Sequence, residues 1–325
     1  MSKEKIEKQK IDFKEFLNRG NQFLAIEGVD CSGKGQITKL IEKNGIRGVQ
    51  VKRVDFPQYD LPSGKLIESY LNGDLGNYIG YFKEPIAGVE TASEWHAVMS
   101  GRFEHAITEI DFVAGLYSLN RIEWFKRNRI DPDTIYVFDR FSYSNAIHHL
   151  GNLVNWMSRE DGAADLMRIW WRESPDRKEV PFENWKLQRI YNACTTLYEK
   201  WLSYEYTQGV PSVYTFLLSI DEMHVMERIN ARKETKHEGR DILETQYGIH
   251  NACDFVNLSL YAQLHQDLTA AAIVPVEEFK QNNQDIADYI SAVYSSAVVN
   301  DVDTEDLGDF VAAVEDDDED LEEDE

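Results

Sequence analysis

Positive charge, cysteine and long apolar runs are what this chain has least of. Its three cysteines, Cys31, Cys194 and Cys253, are widely separated and form no C-x-x-C pair. That excludes a disulfide framework and a structural zinc site, and indicates a reducing compartment such as the cytoplasm. No stretch of about 18 apolar residues occurs, and the opening Met-Ser-Lys-Glu-Lys-Ile-Glu-Lys has charge with no apolar run behind it. Neither export nor membrane insertion is therefore expected. Lys and Arg number 34 against 58 Asp and Glu, a formal charge of −24. Fifteen of those acids lie in 301–325, where no basic residue stands, so that residues 1–300 carry −9. A chain so poor in clustered Lys and Arg is not expected to hold duplex nucleic acid.

Apolar residues make up 42% of the chain and aromatics 12%, enough for a sizeable core and thus a globular body with an appendage. The body is organised around Gly28-Val-Asp-Cys-Ser-Gly-Lys34, with the apolar run Phe23-Leu-Ala-Ile-Glu27 before it and helical character over 35–43 after it. A strand, a Gly-bounded loop ending in Lys and then a helix is the order a phosphate-binding loop requires. Its glycines let backbone N–H groups curl toward one phosphate, and the helix N-terminus adds its dipole. Lys34 brings a positive charge to the β- and γ-phosphates. The next position, where Ser or Thr commonly ligates Mg²⁺, is Gly35, and Gln36 follows. Cys31 has two readings, a thiol activated by the helix N-terminus or a small side chain filling the loop.

Residues 1–20 alternate Lys, Glu and apolar positions (Ile6, Ile11, Phe13, Phe16, Leu17), as an N-terminal helical extension does. Residues 49–55 alternate as a second strand, and two parallel strands joined by a helix begin a doubly wound α/β sheet. Phe56-Pro57-Gln-Tyr59 follows at once, then helical spacing over 62–72. A loop at a strand's carboxyl end is a candidate acceptor site. Residues 73–104, rich in Gly, read as an insertion. The helical pattern over 106–129 contains Tyr117-Ser-Leu-Asn-Arg-Ile-Glu123. Tyr117 and Arg121, four apart, put an aromatic plane beside a forked donor, which suits a planar base. A surface helix with a buried Tyr and a solvated Arg has the same spacing.

Thr134-Ile-Tyr-Val-Phe138 is β-like and runs into Asp139-Arg140-Phe141-Ser-Tyr-Ser144. Asp139 then has the place of a metal-facing acid and Arg140 that of a phosphate grip, with a structural ion pair between the two as the alternative. Residues 151–190, with Trp156, Trp170, Trp171 and Trp185, read as a second insertion. A helix over 187–206 and a strand over 212–219 follow, then a helix from Asp221 carrying Arg228 and Arg232. Residues 232–247 read as a lid whose basic side chains close over phosphates, or as a solvated loop. A helix over 249–268, a strand over 271–276 and a helix over 285–294 complete a domain spanning 21–298. The acidic segment 299–325 cannot bury enough to order itself; it is a docking tail for a basic partner, a nucleic-acid mimic or a solubilising extension.

These pieces, in this order, resemble the thymidylate kinase family of nucleoside monophosphate kinases. The resemblance rests on Glu27-Gly-Val-Asp30, Phe56-Pro57 before Gly-Lys-Leu-Ile-Glu-Ser-Tyr-Leu, Tyr117-Ser-Leu-Asn-Arg121, Asp139-Arg140-Phe141 and the 232–244 lid, and covers roughly 21–295. It implies a three-layer P-loop fold, Mg²⁺ as cofactor, usually a homodimer, and transfer of the γ-phosphoryl of ATP to a deoxynucleoside monophosphate, dTMP first, giving dTDP and ADP. By the resemblance, Gly28, Cys31, Ser32, Gly33, Lys34, Gly35 and Gln36 bind ATP and Arg232 lies near its adenine. Asp30 meets the acceptor's deoxyribose, Phe56 and Pro57 shape its loop, Tyr117 stacks on its base and Arg121 hydrogen-bonds the base edge. Arg140 grips the acceptor phosphate, Asp139 lies near Mg²⁺, Ser144 and His148 face the acceptor, and Arg240 supplies lid charge with Lys233 and Lys236. Tyr59 stands where the family often has Arg, leaving Arg53 or Lys65 as substitutes, and Cys31 stands where some members have a basic residue. Two other readings are a kinase with a different deoxynucleotide or deoxynucleoside acceptor, and a nucleotide-binding scaffold that works through its tail and insertions.

Overall fold

The computed structural model describes residues 22–29, 31–71, 92–151, 185–220, 224–225, 227–228, 271–276, 278–280 and 282–297. The N-terminal extension, the lid, the helix expected over 249–268 and the acidic tail lie outside the described residues, as do Asp30, Arg232 and Arg240. In chain order the elements are β1 (Phe23–Gly28), α1 (Lys34–Asn44), β2 (Val51–Asp55), α2 (Pro62–Leu71), α3 (Ala92–Arg127) and β3 (Ile135–Asp139). There follow a short helix α4 (Ser142–Asn145) that runs on as the π-helical segment Ala146–Leu150, then α5 (Trp185–Thr207), β4 (Tyr214–Ser219), β5 (Ala271–Pro275) and α6 (Asn283–Ala297).

The five strands form one sheet in the order β2-β3-β1-β4-β5, and every neighbouring pair is parallel. The expected α/β class is therefore present. β1 is central and buried along its whole length, as its unbroken apolar reading up to Glu27 requires. β2, at the edge, buries only Val51 and Val54 and exposes Lys52 and Asp55. The chain leaves β1 for the outer β2, returns to β3 beside β1, and only then crosses to β4 on the other side. A crevice at the carboxyl end of β1 follows from that reversal. Among the described residues, no helix is long and apolar enough to cross a membrane.

Local chemistry explains several boundaries. α1 buries Ile37, Thr38 and Ile41 on one face and stops at Gly45, whose φ of 68° and N–H bond to the Ile41 carbonyl form its C-terminal cap. α3 starts at Ala92, so residues 92–104 are helical and continuous with the helix expected from 106. The glycines of 73–88 mask a start that Trp95, Val98, Met99 and Phe103 mark at helical spacing. An aromatic cluster of Phe23, Phe56, Trp124, Phe138 and Phe141 fills the layer beside β1 and β3. Phe138 and Phe141 stack at 4.6 Å, and Trp124 meets Phe138 edge-on at 5.9 Å. Phe56, expected at the acceptor, is only 5% exposed. Its ring belongs to this core and anchors the turn that Pro57 begins.

That turn is stitched to α3. Asn120 accepts from the Gln58 N–H at 2.7 Å and donates to the Gln58 carbonyl at 3.1 Å, and the Glu123 carboxylate takes both the amide and the hydroxyl of Ser63. Gly64 lies so close to the turn that a Cβ on it would stand 2.0 Å from the Gln58 carbonyl oxygen and 2.7 Å from the Tyr59 Cα. Both obstacles are backbone, so neither can swing aside. Gly64→Ala is expected to destabilise the fold by about 1–3 kcal/mol, read by urea denaturation; a variant as stable as the wild type would show that α2 shifts freely.

Candidate functional site

Four strand ends meet at the crevice. Register pairs Gly28 of β1 with Leu218 of β4, Ile26 of β1 with Asp139 of β3, and Asp139 with Asp55 of β2. The 28–34 loop leaves β1 here. Its shape demands glycine at 28, where φ is 143° and a Cβ would lie 2.8 Å from the Leu218 carbonyl oxygen, and favours it at 33, where φ is 103°. Lys34 is buried, and its ammonium donates to the carbonyls of Gly28 at 2.7 Å and Val29 at 2.6 Å. α1 starts at this crevice, with the Gly33 carbonyl accepting its first bonds from the Gln36 and Ile37 N–H groups, and the positive end of its dipole is receptive to an anion.

Beside the loop, Asp139 ends β3 with its Oδ2 at 2.8 Å from Arg53 Nη2, and the same nitrogen lies 2.7 Å from Asp55 Oδ1. A Cβ on Gly35 would stand 3.1 Å from Asp139 Oδ2. A side chain at this position would need the Asp139 carboxylate to give by a few tenths of an ångström. Burial raises the pKa of the Asp55 carboxyl, opposed by the Arg53 charge and reinforced by that of Asp139. As a Mg²⁺ site the donors fit: they are carboxylate oxygens, and Mg²⁺ typically takes one or two of these and leaves its other positions to phosphates and water. Among the described residues no group of three or more His, Cys, Asp or Glu side chains is gathered for a metal.

The segment after Asp139 is clamped from both sides. Arg140 adopts φ 68°, its N–H reaching the Ile26 carbonyl and its Nη1 lying 2.9 Å from His148 Nε2. Glu27, with no exposed surface, accepts from the amides of Phe141 and Ser144 and from the Ser144 hydroxyl. Burial raises its pKa, opposed by those hydrogen bonds and by the Lys34 and Arg121 charges. Ser144, expected at the acceptor, therefore directs its hydroxyl into the protein. On the other side Glu205 of α5 accepts from the Ser142 and Ser118 hydroxyls and takes Arg121 through Nε and Nη2.

Arg121, expected on a base edge, is 1% exposed, and its Nη1 donates to the Phe141 carbonyl at 3.3 Å. Its guanidinium faces protein in this structure. Tyr117 keeps the expected helix face, partly exposed, with its ring 5.0 Å from that of His149. Burial and the Arg121 charge push the His149 pKa down to about 3. Pro57 and His148 are partly exposed near these groups' elements.

At the other side of the loop, Arg228 Nη1 donates to the Cys31 carbonyl at 3.0 Å, and Asn283 of α6 hydrogen-bonds Gln36. Ser32 is buried and Cys31 partly exposed with φ 63°. The structure thus brings Gly28, Cys31, Ser32, Gly33, Lys34, Gly35, Gln36, Asp139 and Arg140 to one edge. Glu27, Glu205, Asn120, Glu123 and Asn283 join them without having been singled out. A carboxylate ending an otherwise apolar strand was a visible signal for Glu27; Glu205, 84 residues from Arg121, gave none.

Removing one partner of the buried Arg121–Glu205 pair leaves a stranded charge. Glu205→Ala is expected to cost about 3–5 kcal/mol in denaturant unfolding, most of it recovered when Arg121→Met is added; no recovery would show that Glu205 acts independently of Arg121. His149 gives a pH signature. Its folded pKa of about 3 lies below the ordinary 6.5, so the unfolded chain takes up the proton first and stability falls as pH drops through 6.5 toward 3. Between pH 7 and pH 5 the wild type is expected to lose about 2 kcal/mol more than His149→Gln, measured by urea unfolding at both values; equal losses would contradict a buried neutral imidazole.

Compared with models of protein families and with curated proteins, the chain matches none.

Proposed function

We propose that the chain is a P-loop kinase of nucleoside monophosphates, transferring the γ-phosphoryl of ATP to a deoxynucleoside monophosphate, dTMP first. One observation carries the reading: the glycine-shaped 28–34 loop with Lys34 opens α1 at the carboxyl end of the central strand, with Asp139 and Arg140 at the end of the strand beside it. Phosphoryl transfer asks a protein chiefly for positioning and neutralisation of charge. The loop amides and Lys34 hold the donor's phosphates, which requires the ammonium to exchange the Gly28 and Val29 carbonyls for phosphate oxygens. Arg140 holds the acceptor phosphate, steadied by His148, and Tyr117 offers the acceptor base an aromatic plane. Mg²⁺, where bound, would be held by Asp139 with Asp55 beside it, and supplies neutralisation of the phosphates' charge. The acceptor is already an anion, so no general base is called for. Arg232, Arg240 and Asp30 keep their expected places in this reading as donor, lid and deoxyribose contacts.

The test is ADP formation from ATP and Mg²⁺ with dTMP, dUMP, dCMP, dGMP and dAMP offered separately. Turnover is expected with dTMP above the others, and to fall by about 100-fold or more in Lys34→Ala and in Arg140→Ala with circular dichroism unchanged. No turnover with any acceptor, despite measurable ATP binding, would overturn the kinase reading in favour of a nucleotide-binding scaffold.

A further inference from the structure

A loop shaped to cradle phosphate is receptive to other anions as well, and this chain carries a concentrated one of its own. Residues 315–325 are acidic at every position but Leu321, and no Lys or Arg stands anywhere in 301–325. A segment of that composition has little to bury and much like charge to spread. The stretch before it differs in kind: between Ala297, the last residue of α6, and Glu315, the apolar Val302, Leu307, Phe310 and Val314 interrupt the acids. An acidic block thus follows a mixed linker of residues 298–314.

The fold sets how far that block has to travel. α6 begins at Asn283, which hydrogen-bonds Gln36 in the first turn of α1, two residues past Lys34. Near its other end Tyr294 meets Tyr214, the first residue of β4, at 5.5 Å, so α6 ends at the opposite edge of the sheet from the loop. Its 15 residues span about 22 Å. Residues 298–314, as a flexible linker, span roughly 23 Å on average. The two lengths match, the condition under which a tether gives what it carries its highest local concentration, on the order of millimolar. What the block meets at the loop is the start of α1, the Lys34 ammonium and the guanidinium groups of Arg140 and Arg228. Donors that hold phosphate oxygens also hold carboxylate oxygens. On the outside of the described helices, by contrast, Lys65, Arg127 and Lys200 are paired with Glu68, Glu123 and Asp111. We propose that the acidic block 315–325 docks at the phosphate edge of its own chain and competes there with nucleotide phosphates, an inhibitory segment carried in cis. This rests on the phosphate-binding part of the proposed kinase reading.

Calorimetric titration of the full chain with ATP tests this without relying on turnover. Metal-free buffer is used, so that the acids cannot act by collecting Mg²⁺. The wild type is compared with a full-length variant in which every acid of 315–325 is exchanged, Asp→Asn and Glu→Gln. The variant is expected to bind ATP about 3- to 10-fold tighter at about 50 mM salt, a gain that screening removes at about 0.5 M, and to bind thymidine, which has no phosphate, as the wild type does. A second measurement separates docking from the overall field. A fluorescent peptide of residues 299–325 is expected to bind the variant and to be displaced by ATP, although peptide and variant both carry net negative charge. Equal ATP affinities at low salt, tighter ATP without peptide binding, or a bound peptide that ATP does not displace would each overturn the inference and leave the kinase reading standing. Failure of both chains to bind ATP or inorganic tripolyphosphate at either salt would overturn the phosphate-binding assignment of the loop, and the inference with it.

Discussion

A carboxylate with no exposed surface, that of Glu27, holds the candidate site together. Burying an ionisable group of this kind is costly unless donors surround it, and here they come from one place: two amides and a hydroxyl of the turn after β3. The relation runs both ways. Once Glu27 is fixed in the central strand, the turn can close in one arrangement only, with Arg140 at φ 68° and Asp139 at the strand's last position. A non-glycine residue at such a φ is costly, and it persists because the amides on its carboxyl side are satisfied by Glu27 and its own N–H by Ile26. The backbone strain and the buried charge stabilise one geometry together.

Glu205 does from α5 what Glu27 does from β1. Between them they take the hydroxyls of Ser142 and Ser144, so the short helix α4 is pinned on two sides, and Arg121 is drawn in as the counter-charge. Such a network specifies a conformation more than it adds stability, since a buried ion pair roughly offsets its own desolvation. What it secures is placement: the Arg140 side chain leaves a segment that cannot slide along the sheet, and the imidazole of His148, one helical turn past Ser144, is brought to within hydrogen-bonding reach of it.

Much of this was legible in the sequence where a residue's type is dictated by its backbone or by burial on both faces. The strand, loop and helix of 23–44, the apolar strands 135–139 and 214–219, and the joint position of Lys34 and Asp139 follow from local patterns that the parallel sheet leaves little freedom to place otherwise. Partnerships across the chain were not legible. The spacing of Tyr117 and Arg121 indicates a shared helix face but not what that face meets, and a buried Glu205 decides the matter for Arg121. Phe56 carried the opposite ambiguity: an aromatic next to a Pro turn at a strand end is equally a ligand contact or a core plug, and the surrounding Trp124, Phe138 and Phe141 made it the plug. In the same motif Ser118 ties α3 to Glu205, while Asn120 and Glu123 both tie it to the 58–63 turn, which no periodicity announces.

A burial pattern of this kind also changes which groups can read an acceptor. With Arg121 occupied, the ring beside Tyr117 is the buried imidazole of His149, held neutral by burial and by the Arg121 charge. A neutral ring can donate from one nitrogen and accept at the other, whereas a guanidinium can only donate. Among the described residues, Lys34, Arg53, Arg140 and Arg228 bring positive charge to this edge, while the chain as a whole is strongly acidic. In a protein of net charge −24 such a cluster, and not the overall field, has to attract an anionic ligand. The acceptor proposed above, a nucleoside monophosphate, carries its charge at one end and a flat, neutral base at the other, a shape that such a cluster suits.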